Sequence, residues 1–187
     1  MLAYETVTGK LNEDIQPTVI LETSYAETSF PNVVMPVYSY IGNVLRTEDP
    51  EAFETFGLHP FEMKVQAIDR TMIDKVFAIC DYQLAGDVKR HSRHLYDIYK
   101  ILPLVRIDAN FRELVRKVRI LRAKNVNICH SAQPGVDVPK ILKGLVENDV
   151  YKADYERVTI RILKERIDYD EIIQAILKII DSGMFEE

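Results

Sequence analysis

Near Arg70 the spacing of apolar residues changes from two to between three and four, which splits the chain into a strand-forming part and a helix-forming part. Before that point residues 61–68 alternate cleanly. Phe61, Met63, Val65 and Ala67 share one face, and Glu62, Lys64 and Gln66 share the other. Residues 18–25 (TVILETSY), opened by Pro17, are β-branched and apolar and read as another strand. Ile20, Glu22 and Ser24 would share one face there, opposite Val19, Leu21, Thr23 and Tyr25. Residues 33–41 (VVMPVYSYI) give a third strand, which Pro36 confines to an edge or a bulge because it cannot donate to a ladder. Residues 1–16 are polar without a period, and 46–58 are acidic and loop-like, with a short helix around 51–56.

After Arg70 the signals are helical. Thr71 followed by Asp74 is an N-cap with an acid in the first turn, and that helix runs through Lys75, Phe77, Ile79 and Tyr82 to about Ala85. Gly86-Asp87 ends it. A second helix is expected over 88–102, stopped by Pro103, and a third over 110–124. A loop covers 125–135. Asp137 with Pro139 just inside opens a fourth helix to Glu147, a fifth spans 152–165, and Asp168 with Glu171 opens a last one to Ser182-Gly183. The expected fold class is α+β, with a sheet region over 1–70 and a helical bundle over 71–187.

Composition removes several classes of function. A chain of 187 residues suits one medium domain or two small lobes, and 47% hydrophobic with 28% charged residues is ordinary for a globular protein. The net charge of −5 gives no global attraction to nucleic acid or anionic lipid. No apolar run approaches the ~18 residues of a membrane span, no basic-then-apolar leader opens the chain, and the two cysteines, Cys80 and Cys129, are too few for a disulfide framework. A cytoplasmic protein with no membrane partner is the expectation.

The most informative stretch is 70–102. Two helices joined by a short Gly-containing turn make an antiparallel hairpin, with Lys75 eleven residues before Gly86 and Asp97 eleven residues after it. Equal arms place an ammonium and a carboxylate at one level. On the second helix Arg90, His94 and Asp97 fall on one stripe, and Arg93 is an i,i+4 partner for Asp97. Such pairs serve structure more often than function, so spacing alone leaves both readings open. His91 and His94 have a spacing compatible with a metal, but no neighbouring Cys or acid completes a tetrahedral set.

This stretch resembles the C-terminal signature of the AbiEii nucleotidyltransferases, toxin halves of bacterial type IV toxin–antitoxin and phage-abortive systems. The residues that carry the resemblance are Ile73-Asp74-Lys75, the Arg-rich turn, and Arg93-His94-Leu95-Tyr96-Asp97-Ile98-Tyr99. The resemblance implies Lys75 and Asp97 as catalytic residues, with Lys75 and Arg93 facing the nucleotide. It also implies Mg²⁺ and an NTP as cofactors, with an antitoxin protein and tRNA or another RNA acceptor as partners. Glu22 resembles the third metal-binding acid of such sites, and an exposed sheet edge is the alternative explanation of an acid there.

The family pattern also asks for a Gly-Ser or Gly-Gly turn and, about a dozen residues on, Asp-x-Asp on a strand. Before Glu22 this sequence has only Gly9, followed by lysine, and Asp14, followed by Ile-Gln. Asp168-Tyr169-Asp170 opens a late helix and reads as a cap. The resemblance therefore implies the C-terminal portion of a nucleotidyltransferase, inactive by itself and without tight NTP binding. The alternative is a non-catalytic helical module that binds nucleic acid or a partner protein through Arg112, Arg116, Lys117, Arg119, Arg122 and Lys124. A solvated helix face is the simpler account of those six cations.

Overall fold

The computed structural model describes residues 2–3, 18–19 and 30–186. Residues 2–3 (β1, Leu2–Ala3) pair antiparallel with β2 (Thr18–Val19). The alternating segment forms β4 (Phe61–Gln66), paired antiparallel with β3 (Asn32–Val37). Pro36 sits opposite Glu62 in this two-stranded ribbon, where each strand is an edge and no ladder bond is missed. The register joins Val33 to Val65, Met35 to Met63 and Val37 to Phe61, so one face is wholly apolar and mostly exposed.

The third expected strand stops at Val37. Ser39 caps α1 (Tyr40–Glu48) by accepting from the Gly42 N–H at 2.8 Å, and Asp49 caps α2 (Pro50–Thr55). The short helix expected around 51–56 is α2, whereas α1 begins where the strand was expected to run on to 41. The continuous run of Val, Tyr and Ile through 41 hides the switch, because strand and helix both accept apolar residues over so few positions.

The core is built around α3 (Ile68–Ala85). Its Met72, Ile73, Val76, Phe77, Ile79 and Cys80 are fully buried, a stripe too wide for a surface helix. Around it pack α4 (Arg93–Ile101), α5 (Ala109–Ala123), α6 (Val138–Glu147) and the 3₁₀ turn His130–Ala132. The last helix, α9 (Tyr169–Asp181), covers α4 and α6 with Ile172, Ile176 and Ile179. Each such side chain, fully buried, contributes about 1.5–3 kcal/mol.

The helix starts at Ile68, three residues before the expected Thr71. Ala67 occupies the N-cap, and the Thr71 hydroxyl instead donates back to the Ala67 carbonyl at 3.2 Å. Gln66, at the end of β4, donates to Thr71 and to Asp74, which fastens the ribbon to the first turns of α3. At the other end Gly86, with φ +70°, closes the helix, and the Asp87 N–H reaches back to the Tyr82 carbonyl at 3.0 Å.

The expected helix over 152–165 is not regular. It consists of α7 (Lys152–Asp154), a π stretch (Tyr155–Thr159) and α8 (Ile160–Ile162). The sheet and the helices together make an α+β fold, as expected.

Candidate functional site

Lys75 lies in the middle of α3, and Tyr82 lies two turns further along the same face. The chain does not pass directly from α3 into a second long helix. The expected helix over 88–102 begins only at Arg93, because Arg90 takes φ +65° and breaks the helical path. That turn is held from a distance. One oxygen of Asp154 accepts from the Arg90 N–H at 2.8 Å and the other from the Ser92 N–H at 3.2 Å. The Ser92 and Thr159 hydroxyls meet at 2.7 Å, so both anchors come from the segment around the π turn. A π stretch inserted in a helix is often found at functional positions.

The anchored turn delivers α4 so that Lys75 and Asp97 converge. Lys75 Nζ is 2.7 Å from Asp97 Oδ2 and 3.1 Å from His94 Nδ1. His94 Nδ1 stands 3.7 Å from the same carboxylate oxygen. The rings of His91, Tyr82 and His94 lie nearly parallel, with centroids 3.5 Å apart for Tyr82–His91 and 5.8 Å for Tyr82–His94. These rings make a stacked wall beside the ion pair.

Arg93 does not pair with Asp97, contrary to the i,i+4 expectation. Among the described residues the partners of Asp97 are Lys75 and His94, while Arg93 is exposed at the start of α4. Arg90 lies in the turn before α4, so it does not share a helical stripe with His94 and Asp97. Glu22 lies outside the described residues.

Partial burial of Asp97 would raise its pKa. The Lys75 ammonium, hydrogen-bonded to the carboxylate and opposite to it in charge, outweighs burial and holds the carboxyl below its usual value of 3.8. A carboxylate depressed in the folded state stabilises above its unfolded pKa, and that contribution is lost as pH falls through the folded value. The Lys75–Asp97 pair is therefore expected to persist down through 3.8 and to open only below it. Carbon-detected NMR titration of the Asp97 carboxyl measures this, and a midpoint at or above the usual value would contradict it.

The basic stretch on α5 has largely structural employment. Arg112 donates to the Gly183 carbonyl at 2.7 Å and to the Ser182 carbonyl at 2.8 Å, closing the end of α9. Arg119 donates to the Val136 carbonyl. Arg122 bridges Asp74 at 3.0 Å and Asp81 at 2.8 Å, over the ring of Phe77. Arg116 and Lys117 both approach Glu113. A solvated face describes only part of this helix, since three of its arginines hold neighbouring elements in place.

Magnesium, the metal that the resemblance implies, needs several hard oxygen ligands in near-octahedral order. Among the described residues no group of three or more His, Cys, Asp or Glu is placed to hold a metal ion. The described residues therefore do not supply the ligand set that magnesium needs. Cys80 is buried and its thiol is pushed far up by that burial, which suits a packing role rather than reactivity. No helix among the described residues is long and apolar enough to cross a membrane.

No curated protein and no solved structure matches the chain. A family model does match, over residues 1–178, and it describes the nucleotidyl transferase AbiEii toxin of type IV toxin–antitoxin systems. The match takes in both the strand-forming region and the hairpin that brings Lys75 to Asp97. This chain belongs to the AbiEii nucleotidyl transferase toxin family.

Proposed function

We propose that the chain carries the phosphate-facing part of a nucleotidyl-transfer site, with Lys75 as the cation for the triphosphate and Asp97 as the group that holds it. The observation that carries this reading is the convergence of Lys75 and Asp97 at 2.7 Å between helices that the sequence separates by a turn. An ammonium has three N–H donors. Two are directed at Asp97 and His94, and the third is left for a phosphate oxygen. Asp97 orients the ammonium, and it is a candidate base toward an acceptor hydroxyl.

In the reaction we propose, a nucleotide passes from an NTP to an RNA or protein acceptor, with the antitoxin of the system as partner and the cytoplasm as its setting. Lys75 provides attraction without orientation, and orientation carries much of the rate in such transfers. The present chain is therefore proposed to be inactive alone.

Calorimetric titration with ATP, GTP and CTP, with and without Mg²⁺, tests this together with a labelled-nucleotide transfer assay on bulk tRNA. Weak binding that ignores Mg²⁺ and falls about tenfold or more in Lys75→Ala is expected, since one charge-assisted hydrogen bond is worth roughly 1.5–3 kcal/mol. Tight, Mg²⁺-dependent binding that is lost in Glu22→Ala would overturn it. The reading of α5 as a nucleic-acid-binding surface is the weaker one, because Arg112, Arg119 and Arg122 are engaged within the fold.

A further inference from the structure

We propose that His94 is the positioning residue for Lys75: its Nδ1 lone pair, held in a fixed direction by ring stacking, fixes where the third ammonium N–H points. The assignment to phosphate binding rests on the reading of Lys75 given above, but the hydrogen bond itself does not.

The geometry decides the state of the ring. Lys75 Nζ lies 3.1 Å from His94 Nδ1, and an ammonium is donor-only, so Nδ1 must accept. The ring proton then sits on Nε2. The competing arrangement would place a proton on Nδ1 and aim it at Asp97 Oδ2, which is 3.7 Å away and beyond a good hydrogen bond. That proton would also face the ammonium directly, with two donors competing for one carboxylate oxygen. The neutral Nε2–H form is the one that satisfies Lys75, Asp97 and His94 together.

Orientation of the ring comes from its surroundings. His94 is about one-tenth exposed, and its plane lies within 1° of the Tyr82 ring on α3, which stacks in turn on His91 at 3.5 Å. The charged or titratable groups against His94 are Lys75 and Tyr82 from α3, His91 from the preceding turn, and Asp97 on its own helix. A flexible lysine has several rotamers open to it, and an acceptor on each side leaves few. Asp97 alone would fix one N–H and let the ammonium swing about that bond. Asp97 and His94 together define two directions, and tetrahedral nitrogen then defines the third.

Three measurements on the full chain test this. At slightly alkaline pH, nitrogen NMR of the imidazole is expected to show His94 as the Nε2–H tautomer, with an Nδ1 shift that moves toward a free acceptor in Lys75→Met. Two variants then separate hydrogen bonding from packing. His94→Asn keeps an acceptor near the Nδ1 position and loses the ring, while His94→Phe keeps a stacking ring and loses the acceptor. Binding of inorganic tripolyphosphate, followed by calorimetry, is expected to fall about tenfold in His94→Phe and to be largely retained in His94→Asn. The opposite order, with Phe tolerated and Asn impaired, would show that the ring merely packs and would overturn the proposal. A dominant Nδ1–H tautomer would overturn it too. If wild-type protein does not bind tripolyphosphate, the phosphate reading of Lys75 fails, and the tautomer and its response to Lys75→Met still decide the role of His94.

Discussion

Replacing Arg122 with methionine is expected to lower the unfolding free energy by about 3 kcal/mol, at the low end of the cost of breaking a buried ion pair from one side. Arg122 is mostly buried, and Asp81 is almost wholly so. Methionine keeps the apolar stem against Phe77 and removes only the guanidinium, so packing loss contributes little. Asp81 would keep the Ser131 N–H at 2.7 Å and the Ser131 hydroxyl at 2.6 Å, and Asp74 would keep Arg70 at 2.9 Å and Gln66 at 3.1 Å. Those donors are why the loss is placed at the low end. For a chain of this size the change corresponds to a melting temperature lower by about 6–12 °C. Arg116→Met is the control, since its pairing with Glu113 is exposed and worth under about 1 kcal/mol. Urea unfolding monitored by circular dichroism measures both. Equal effects in the two variants would mean that Ser131 alone satisfies Asp81, and that the Arg122 bridge contributes nothing to the core.

The second large effect is expected at Asp154. Its carboxylate is the acceptor for the Arg90 and Ser92 N–H groups, and Ser92 is fully buried. Asp154→Ala strands both donors, at a cost of about 2–3 kcal/mol. The consequence should reach the site, because these two bonds set where α4 begins and so where Asp97 stands relative to Lys75. Burial opposes ionisation of Asp154, but the Arg90 N–H, the Ser92 hydroxyl and N–H, and the Arg157 charge outweigh it and hold its pKa low. Its contribution is therefore complete above the usual 3.8 and is lost as pH falls through the lower folded value. The site readout is the Asp97 carboxyl titration, which should move upward toward 3.8 in Asp154→Ala as the contact with Lys75 loosens. An unchanged Asp97 titration in a destabilised variant would show that the cap supports the fold without positioning the site.

The pairing of Lys75 with Asp97 illustrates how far counting residues can go. Equal arms about Gly86 identified the right two side chains, yet the two arms are not equal helices. From Lys75 to the end of α3 the rise is about 15 Å, while from the start of α4 to Asp97 it is only about 6 Å. The turn over 87–92 supplies the difference, and its path depends on Asp154. The position of the meeting was legible in the sequence. The means of reaching it was not.

By itself the sequence determined the elements whose signals are local. The alternation of 61–66, Gly86 as a left-handed helix end, and the capping acid Asp137 all formed as their neighbours dictate. In these cases donor and acceptor, or apolar partner and partner, lie within a few residues, so pattern and structure carry the same information. The tertiary structure alone decided the start of α4, the partners of Asp97 and the employment of the α5 arginines. Asp154 reaches its two N–H groups across 64 and 62 residues, and Arg122 reaches Asp74 across 48. A carboxylate at either end of such a bond has no periodic signature. It binds whichever donor the packing of α3, α4 and α5 brings within hydrogen-bond range, and only that packing turns an exposed i,i+4 pairing of Arg93 with Asp97 into a half-buried one with Lys75 and His94.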